Sequence, residues 1–284
     1  MVLTVQASAV VKLNENFVSG GGGDVFDFQL AGDESRTVWI SDTDMNGLNE
    51  LFSRPTDKSG PQVQINDPFA TGISGDVFEF KLTVDGSRVV WLADADTNGV
   101  IEIYSRAADG TGPQVKLNDT FATGTSGDVA DFQISADGSR VVWRADADTN
   151  EVIEVFSRAA DGSGTQAKLN DAFTSGTDGD AFTIQVNADG TRTAWLADGE
   201  AHTRRELYGR ATDGSGSQIK FNATPVTSGD VDGDFQFTPG GTRIVWRADA
   251  DNNSNYELFT RLADGSDAQV HQRRVHRRIT RRER

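Results

Sequence analysis

Five tryptophans mark out the chain. They stand at Trp39, Trp91, Trp143, Trp195 and Trp246, three steps of 52 residues and one of 51. Other positions keep the same step: Asn14, Asn66, Asn118, Asn170 and Asn222 end a "KLN"-type stretch, and Arg54, Arg106, Arg158, Arg210 and Arg261 close a "YSR"- or "FSR"-type stretch. A period of this length means one supersecondary unit copied five times, and such a unit buries its apolar faces only by stacking on its neighbours.

The third copy, "DVADFQISADGSRVVWRADADTNEVIEVFSRAADGSGTQAKLN", is divided by its own turn residues into four strand candidates: "VADFQIS", "RVVWRA", "VIEVFSR" and "TQAKLN". Alternation of apolar and polar residues supports each one. It places Phe26, Phe28 and Leu30 on one face of the first strand, as it does Phe78, Phe80 and Leu82, then Ala130, Phe132 and Ile134, then Phe182, Ile184 and Val186. Four antiparallel strands per unit of this length is the pattern of a β-propeller blade. A β-solenoid has shorter coils and no two-residue "DG" hairpins, so the expected fold is all-β, a propeller of five four-stranded blades near residues 15–66, 67–118, 119–170, 171–222 and 223–271. The alternative is five blades of a six- or larger-bladed ring. Residues 1–14 end in "VVKLN", the end of a unit, and suit an outer strand on the fifth blade, although the fifth unit carries a closing strand of its own, "AQVHQ" at Ala268 to Gln272.

The unit "FQISADGSRVVWRADADTNEVIEVFSRAADGSGTQAKLN" resembles the TolB-type, WD-like propeller repeat, with its Ser-x-Asp-Gly turn, its Asp-x-Asp turn, its Glu-Ile-Tyr-type strand and its closing Leu-Asn. It departs from that family in a hairpin loop about two residues longer and in lacking the proline of Ser-Pro-Asp-Gly. The resemblance implies a propeller working in the periplasm or outside the cell. It implies little about activity, because such propellers serve as scaffolds, as enzymes and as gating domains.

Each copy places an acidic loop three residues after its tryptophan. Oxygen-bearing side chains at positions 1, 3 and 5, a carbonyl at 7 and a carboxylate at 9 suit calcium, a hard cation that takes six to eight oxygens. The expected ligands are Asp42, Asp44, Asn46, Leu48 and Glu50 in the first loop and Asp94, Asp96, Asn98, Val100 and Glu102 in the second. Gly47 and Gly99 stand where the chain must turn through a left-handed conformation. The loops of Asp146, Asp148, Asn150 and Glu154, and of Asp249, Asp251, Asn253 and Glu257, carry Glu151 and Ser254 at that point and rank as weaker sites. The fourth loop, with Asp198, His202 and Glu206, ranks last. The spacing is similar to the hairpin calcium loop of integrin α-subunit propellers. Turn chemistry alone also favours Asp, Asn and Gly here, but it does not require a glutamate eleven residues after every tryptophan.

Further readings concern the rest of the surface. Asp24, Asp76, Asp128, Asp180 and Asp230 are expected to bond backbone amides of the entry turn, with a carboxylate ring at one channel mouth as the alternative, while Gln29, Lys81, Gln133, Gln185 and Gln236, with Asp27, Glu79, Asp131 and Asp234, are expected to face a wet channel. The three histidines and the absence of a Gly-x-Ser-x-Gly elbow give nucleophilic catalysis little support. A non-catalytic module for a protein or peptide partner is therefore expected, as a monomer, with a hydrolase or lyase site at the channel mouth as the alternative.

The formal charge of −16 hides an asymmetry: Gln272 to Arg284 holds seven arginines and one glutamate, which leaves about −22 for the body and excludes nucleic-acid or anionic-membrane binding by that body. The tail reads as disordered or out of frame. No run of about 18 apolar residues and no export signal is visible, so neither membrane insertion nor retention of a leader is expected. There is no cysteine, and hence no disulfide and no thiolate-bound zinc.

Overall fold

The computed structural model describes residues 10–17, 23–43, 47–69, 75–122, 127–149, 151–173, 179–199, 204–222, 230–249, 255–267 and 270–271. Five sheets of four antiparallel strands follow one another, each in simple chain order. Blade one is β1 (Val25–Leu30), β2 (Arg36–Ser41), β3 (Glu50–Pro55) and β4 (Val63–Gln64); blade two is β5 (Val77–Leu82), β6 (Arg88–Ala93), β7 (Glu102–Ala107) and β8 (Val115–Lys116). Blade three is β9 (Val129–Ile134), β10 (Arg140–Ala145), β11 (Glu154–Ala159) and β12 (Ala167–Lys168). Blade four is β13 (Ala181–Val186), β14 (Arg192–Ala197), β15 (Glu206–Ala211) and β16 (Ile219–Lys220), and blade five is β17 (Val231–Phe237), β18 (Arg243–Ala248), β19 (Glu257–Leu262) and β20 (Val270–His271).

Local chemistry builds each blade. In the β5–β6 turn Asp85 accepts from the Ser87 amide at 3.1 Å and the Thr83 hydroxyl at 2.6 Å, fixing the tight turn that hands one strand to the next. The recurring asparagine closes the sheet: Asn118 accepts from the Ile103 amide at 3.0 Å, where the short β8 leaves β7 without a strand partner. The recurring arginine ties blades together. Arg106 donates to the Gly112 carbonyl of its own blade at 2.9 Å and to the Ile65 carbonyl of the preceding blade at 3.0 Å.

The first strands depart from strict alternation. A β-bulge between Val77 and Glu79 sets two residues against one, so Val77 and Phe80 both face the core while Phe78 is exposed. The same shift occurs at Val25/Asp27, Val129 against Ala145, and Ala181/Thr183. Phe26, Phe78 and Phe182 thus leave the face that alternation assigns them. A period of two cannot survive an inserted residue.

The core lies between blades. Val38, Ile40, Leu51 and Ile65 of blade one pack on Val77, Phe80, Val89 and Trp91 of blade two, and the arrangement repeats between blades two and three, three and four, and four and five. Every tryptophan stacks on the aromatic ring opposite it on the third strand, with centroids 5.8 to 6.3 Å apart. The expectation that the tryptophans are core rather than binding platforms follows their placement.

Residues 10–17 contain no strand, and the fourth place in the last blade's sheet is taken by β20. The expected outer strand from the N-terminus is not formed there; Leu13 lies instead on blade one, its carbonyl accepting from Arg54 at 2.9 Å. Residues 1–9 and the tail 272–284 fall outside the described residues. Among the described residues there is no helix long and apolar enough to cross a membrane.

Candidate functional site

The acidic hairpins between the second and third strands are held by two kinds of bond. The first aspartate of each loop is buried: Asp42, Asp94, Asp146, Asp198 and Asp249. Asp94 accepts from the Asp76 amide at 2.6 Å and from the Gly99 amide at 3.2 Å, so both its oxygens serve backbone. Asp42 likewise accepts from Asp24 at 2.7 Å and Asp198 from Asp180 at 2.7 Å. Asp76 in turn accepts from the Asn49 amide of blade one at 2.8 Å, and Asp128 and Asp180 reach Ile101 and Ile153 at the same distance. These aspartates do bond amides, as expected, but those of the preceding blade's hairpin.

The sixth position is left-handed wherever it is described. Gly47 has φ +88°, Gly99 +77° and Glu151 +62°. A residue with a Cβ is strained by about 1 kcal/mol in that region. Glu151→Gly is therefore expected to raise stability by up to about 1 kcal/mol in urea unfolding, with glycine's own chain entropy setting the limit.

The terminal glutamates Glu50, Glu102, Glu154 and Glu206 are buried, whereas Glu257 is exposed. A buried carboxylate needs a partner, and the fourth strand supplies one. Lys116 stands 2.6 Å from Glu102 and 3.0 Å from Asp96, bridging positions 3 and 9 of the second loop. Lys168 bridges Glu154 and Asp148 in the same way, and Lys220 lies 2.6 Å from Glu206. In blade one the equivalent residue is Gln64, which donates to Glu50 at 3.0 Å. A tyrosine completes two of these sites, Tyr104 donating to Glu102 at 2.6 Å and Tyr208 to Glu206 at 2.7 Å.

The second loop is described throughout. Asp94 points to backbone, Asp96 and Glu102 to the ammonium, and Asn98 is exposed. Among the described residues no three acidic or histidine side chains converge to hold a metal ion. In the other loops Asp44, Asn46, Asn150, Asp251 and Asn253 lie outside the described residues, as does His202. Leu48 and Val100, the expected carbonyl ligands, are both half-buried. Sequence reasoning missed the lysines. Their signal was in plain view as the lysine of "KLN", fourteen residues after the glutamate.

Titration follows from these contacts. Burial pulls the Lys116 ammonium down, but its hydrogen bonds to Glu102 and Asp96 outweigh that and hold it above the ordinary lysine value. Burial pushes the Glu154 carboxyl up, with Lys168 opposing. Burial, then Glu102, pushes the Tyr104 phenol far up. The turn aspartates Asp85, Asp109, Asp137, Asp161, Asp189 and Asp213 move the other way, held down chiefly by the serine and threonine hydroxyls beside them. A depressed folded value gives stability that is present above the unfolded aspartate range and lost as pH falls through the folded one. Thermal melts are therefore expected to hold steady from neutrality to about pH 4 and fall steeply below it. Glu154 opposes this trend, since its raised value favours the protonated fold in acid.

The residues expected to line a channel make hydrogen bonds from blade to blade. Gln29 donates to the Phe80 carbonyl of the next blade at 2.8 Å, Lys81 to Phe132 at 2.6 Å, Gln133 to Ile184 at 2.8 Å and Gln185 to Phe235 at 2.6 Å. They form a ladder that runs from blade to blade along the first strands.

Residues 81–178 match the family model of the lipoprotein LpqB β-propeller domain. The propeller is similar to that of dipeptidyl peptidase 4 from Porphyromonas gingivalis, at 11% identity and TM-score 0.57, over 86% of this chain and 36% of that one. Oligopeptidase B from Leishmania major is 15% identical at TM-score 0.54, over 88% and 34%. A TolB candidate from Agrobacterium tumefaciens is 15% identical at TM-score 0.46, over 86% and 78%. This propeller thus spans about a third of each peptidase's length, and at these identities the likeness is one of fold. No curated protein sequence matches the chain.

Proposed function

We propose that this propeller is a non-catalytic binding or scaffolding module for a protein or peptide partner. The observation that carries this reading is the repetition of its buried carboxylates. Asp42, Asp94, Asp146, Asp198 and Asp249 recur at one position, as do Glu50, Glu102, Glu154 and Glu206, and they hold backbone amides and neighbouring side chains in place, as Asp94 holds the Asp76 amide and Glu102 holds Lys116. A reaction centre needs residues that differ from their copies, with values tuned apart. An envelope location is supported by the likeness of residues 81–178 to a lipoprotein's propeller domain.

Calcium is proposed in the first hairpin, held by Asp42, Asp44, Asn46, Leu48 and Glu50. Gln64 supports this, because there a neutral amide stands where the next three blades place an ammonium. In blades two and three calcium would have to displace the lysine. The ion's part is structural: binding only the folded state, it stabilises that state by linkage.

The chain immobilised on resin is expected to retain a discrete protein or peptide from its native extract, with calcium removal weakening capture. Turnover of peptide or oligouronide substrates by the purified chain, lost in a substitution at a non-repeated residue, would contradict the reading.

A further inference from the structure

Each interface between blades has a trailing face on one blade and a leading face on the next. Among the described residues, both halves of one further interface are left uncovered. On the leading face of blade one, Phe28 is 63% exposed, while its counterpart Phe80 is 1% exposed beneath blade one. Val25 and Leu30 are exposed beside it, and the three line a cavity of about 280 Å³ with Leu13 and Trp39. On the trailing face of blade five, Leu258 is 64% exposed, while its counterpart Leu51 is fully buried against blade two.

The polar halves are equally complementary. Gln236 occupies the position of Gln29, Lys81, Gln133 and Gln185, each of which donates to the next blade, and the matching acceptor is the Phe28 carbonyl. Arg144 pairs with Asp131 in its own blade and also donates to the Ala181 carbonyl of blade four at 2.7 Å. Arg247 stands at the same position and pairs with Asp232 and, at 3.3 Å, with Asp234; its counterpart acceptor is the Val25 carbonyl. Asp24 is exposed, whereas Asp76, Asp128 and Asp180 each clamp the preceding blade's hairpin, and the matching amide on blade five is that of Tyr256.

The fourth strand shows the same division. Ile65, Leu117, Leu169 and Phe221 follow their fourth strands as buried apolar residues, but blade five's sequence has Gln272 at that position. Leu13 stands one repeat before Ile65 and is already placed on blade one as Ile65 is on blade two: Arg54 reaches Leu13, and the Glu15 amide reaches Gln62 at 2.8 Å, as Asp67 reaches Gln114 at 2.9 Å.

We propose that the trailing face of blade five of one copy of this chain seats on the leading face of blade one of a second copy, with Leu13 of the second copy supplying, beyond β20, the apolar residue that Gln272 does not. The contact continues the four interfaces inside the chain. It is head-to-tail rather than two-fold, so association is open and rises with concentration.

Two single-cysteine variants test this in an otherwise cysteine-free chain. Leu82 donates to Gln29 across the first interface at 3.3 Å, which makes Leu30 and Gln236 the matching pair. Leu30→Cys and Gln236→Cys chains, mixed and treated with a short bis-maleimide, are expected to give a cross-linked dimer. Adding Phe28→Asp to the Leu30→Cys chain is expected to remove it; Phe28 is exposed, so circular dichroism should be unchanged. Sedimentation of the unmodified chain is expected to show mass rising with concentration. A mixture that stays monomeric overturns the proposal. So does a double variant that cross-links at the mass of one chain while the mixture gives nothing, because the chain then closes on itself.

Discussion

Replacing Trp91 by alanine is expected to destabilise the chain by about 3 to 5 kcal/mol, the range for removing a large aromatic from a packed core. Trp91 is fully buried, stacks on Tyr104 with centroids 5.9 Å apart, and packs among Val38, Ile40, Leu51 and Ile65 of blade one. Its loss therefore opens the interface between two blades as well as one sheet. Among the described residues the buried indole Nε1 has no hydrogen-bond partner, so the side chain acts through its apolar bulk. Trp91→Phe should then cost far less than Trp91→Ala in urea unfolding. Equal losses from the two variants would mean that the indole nitrogen has a role not accounted for by packing.

Lys116→Met is the second large effect. It leaves Glu102 buried without its cation, and breaking a buried pair from one side costs about 3 to 5 kcal/mol. Lys116 keeps 29% of its side chain exposed, so water screens part of this and about 2 kcal/mol is expected. That corresponds to a fall in melting temperature of about 4 to 8 °C for a chain of this size. Equal losses from Lys116→Met and Lys116→Gln in urea unfolding would mean that only the methylene packing of Lys116 had been disturbed. Lys116→Gln recreates the pairing of Gln64 with Glu50 and should cost less than the methionine.

The blade count, the strand pairing and the tryptophan core were legible in the sequence because a repeat shows every position five times. The bulge in the first strands was not. Val77, Phe78 and Phe80 are all apolar, and alternation has no means of telling which of two consecutive apolar residues the inserted one is. The left-handed sixth position was legible from Gly47 and Gly99 and extends to Glu151. The loop's cation was harder, because ligand spacing is counted along one hairpin while Lys116 comes from a strand fourteen residues beyond Glu102. The uncovered end faces were also hidden: counting repeats gives the number of blades but not the angle each interface imposes.

The division of the hairpins between lysine and calcium is tested most directly by calorimetric titration of calcium into chelator-treated protein, for the natural chain and for Lys116→Gln. One site per chain is predicted for the first, removed by Asp44→Ala, and a second site is predicted to appear with Lys116→Gln. Equal calcium stoichiometry in the two proteins would contradict the account, because Lys116 would then not be the cation that fills the second hairpin.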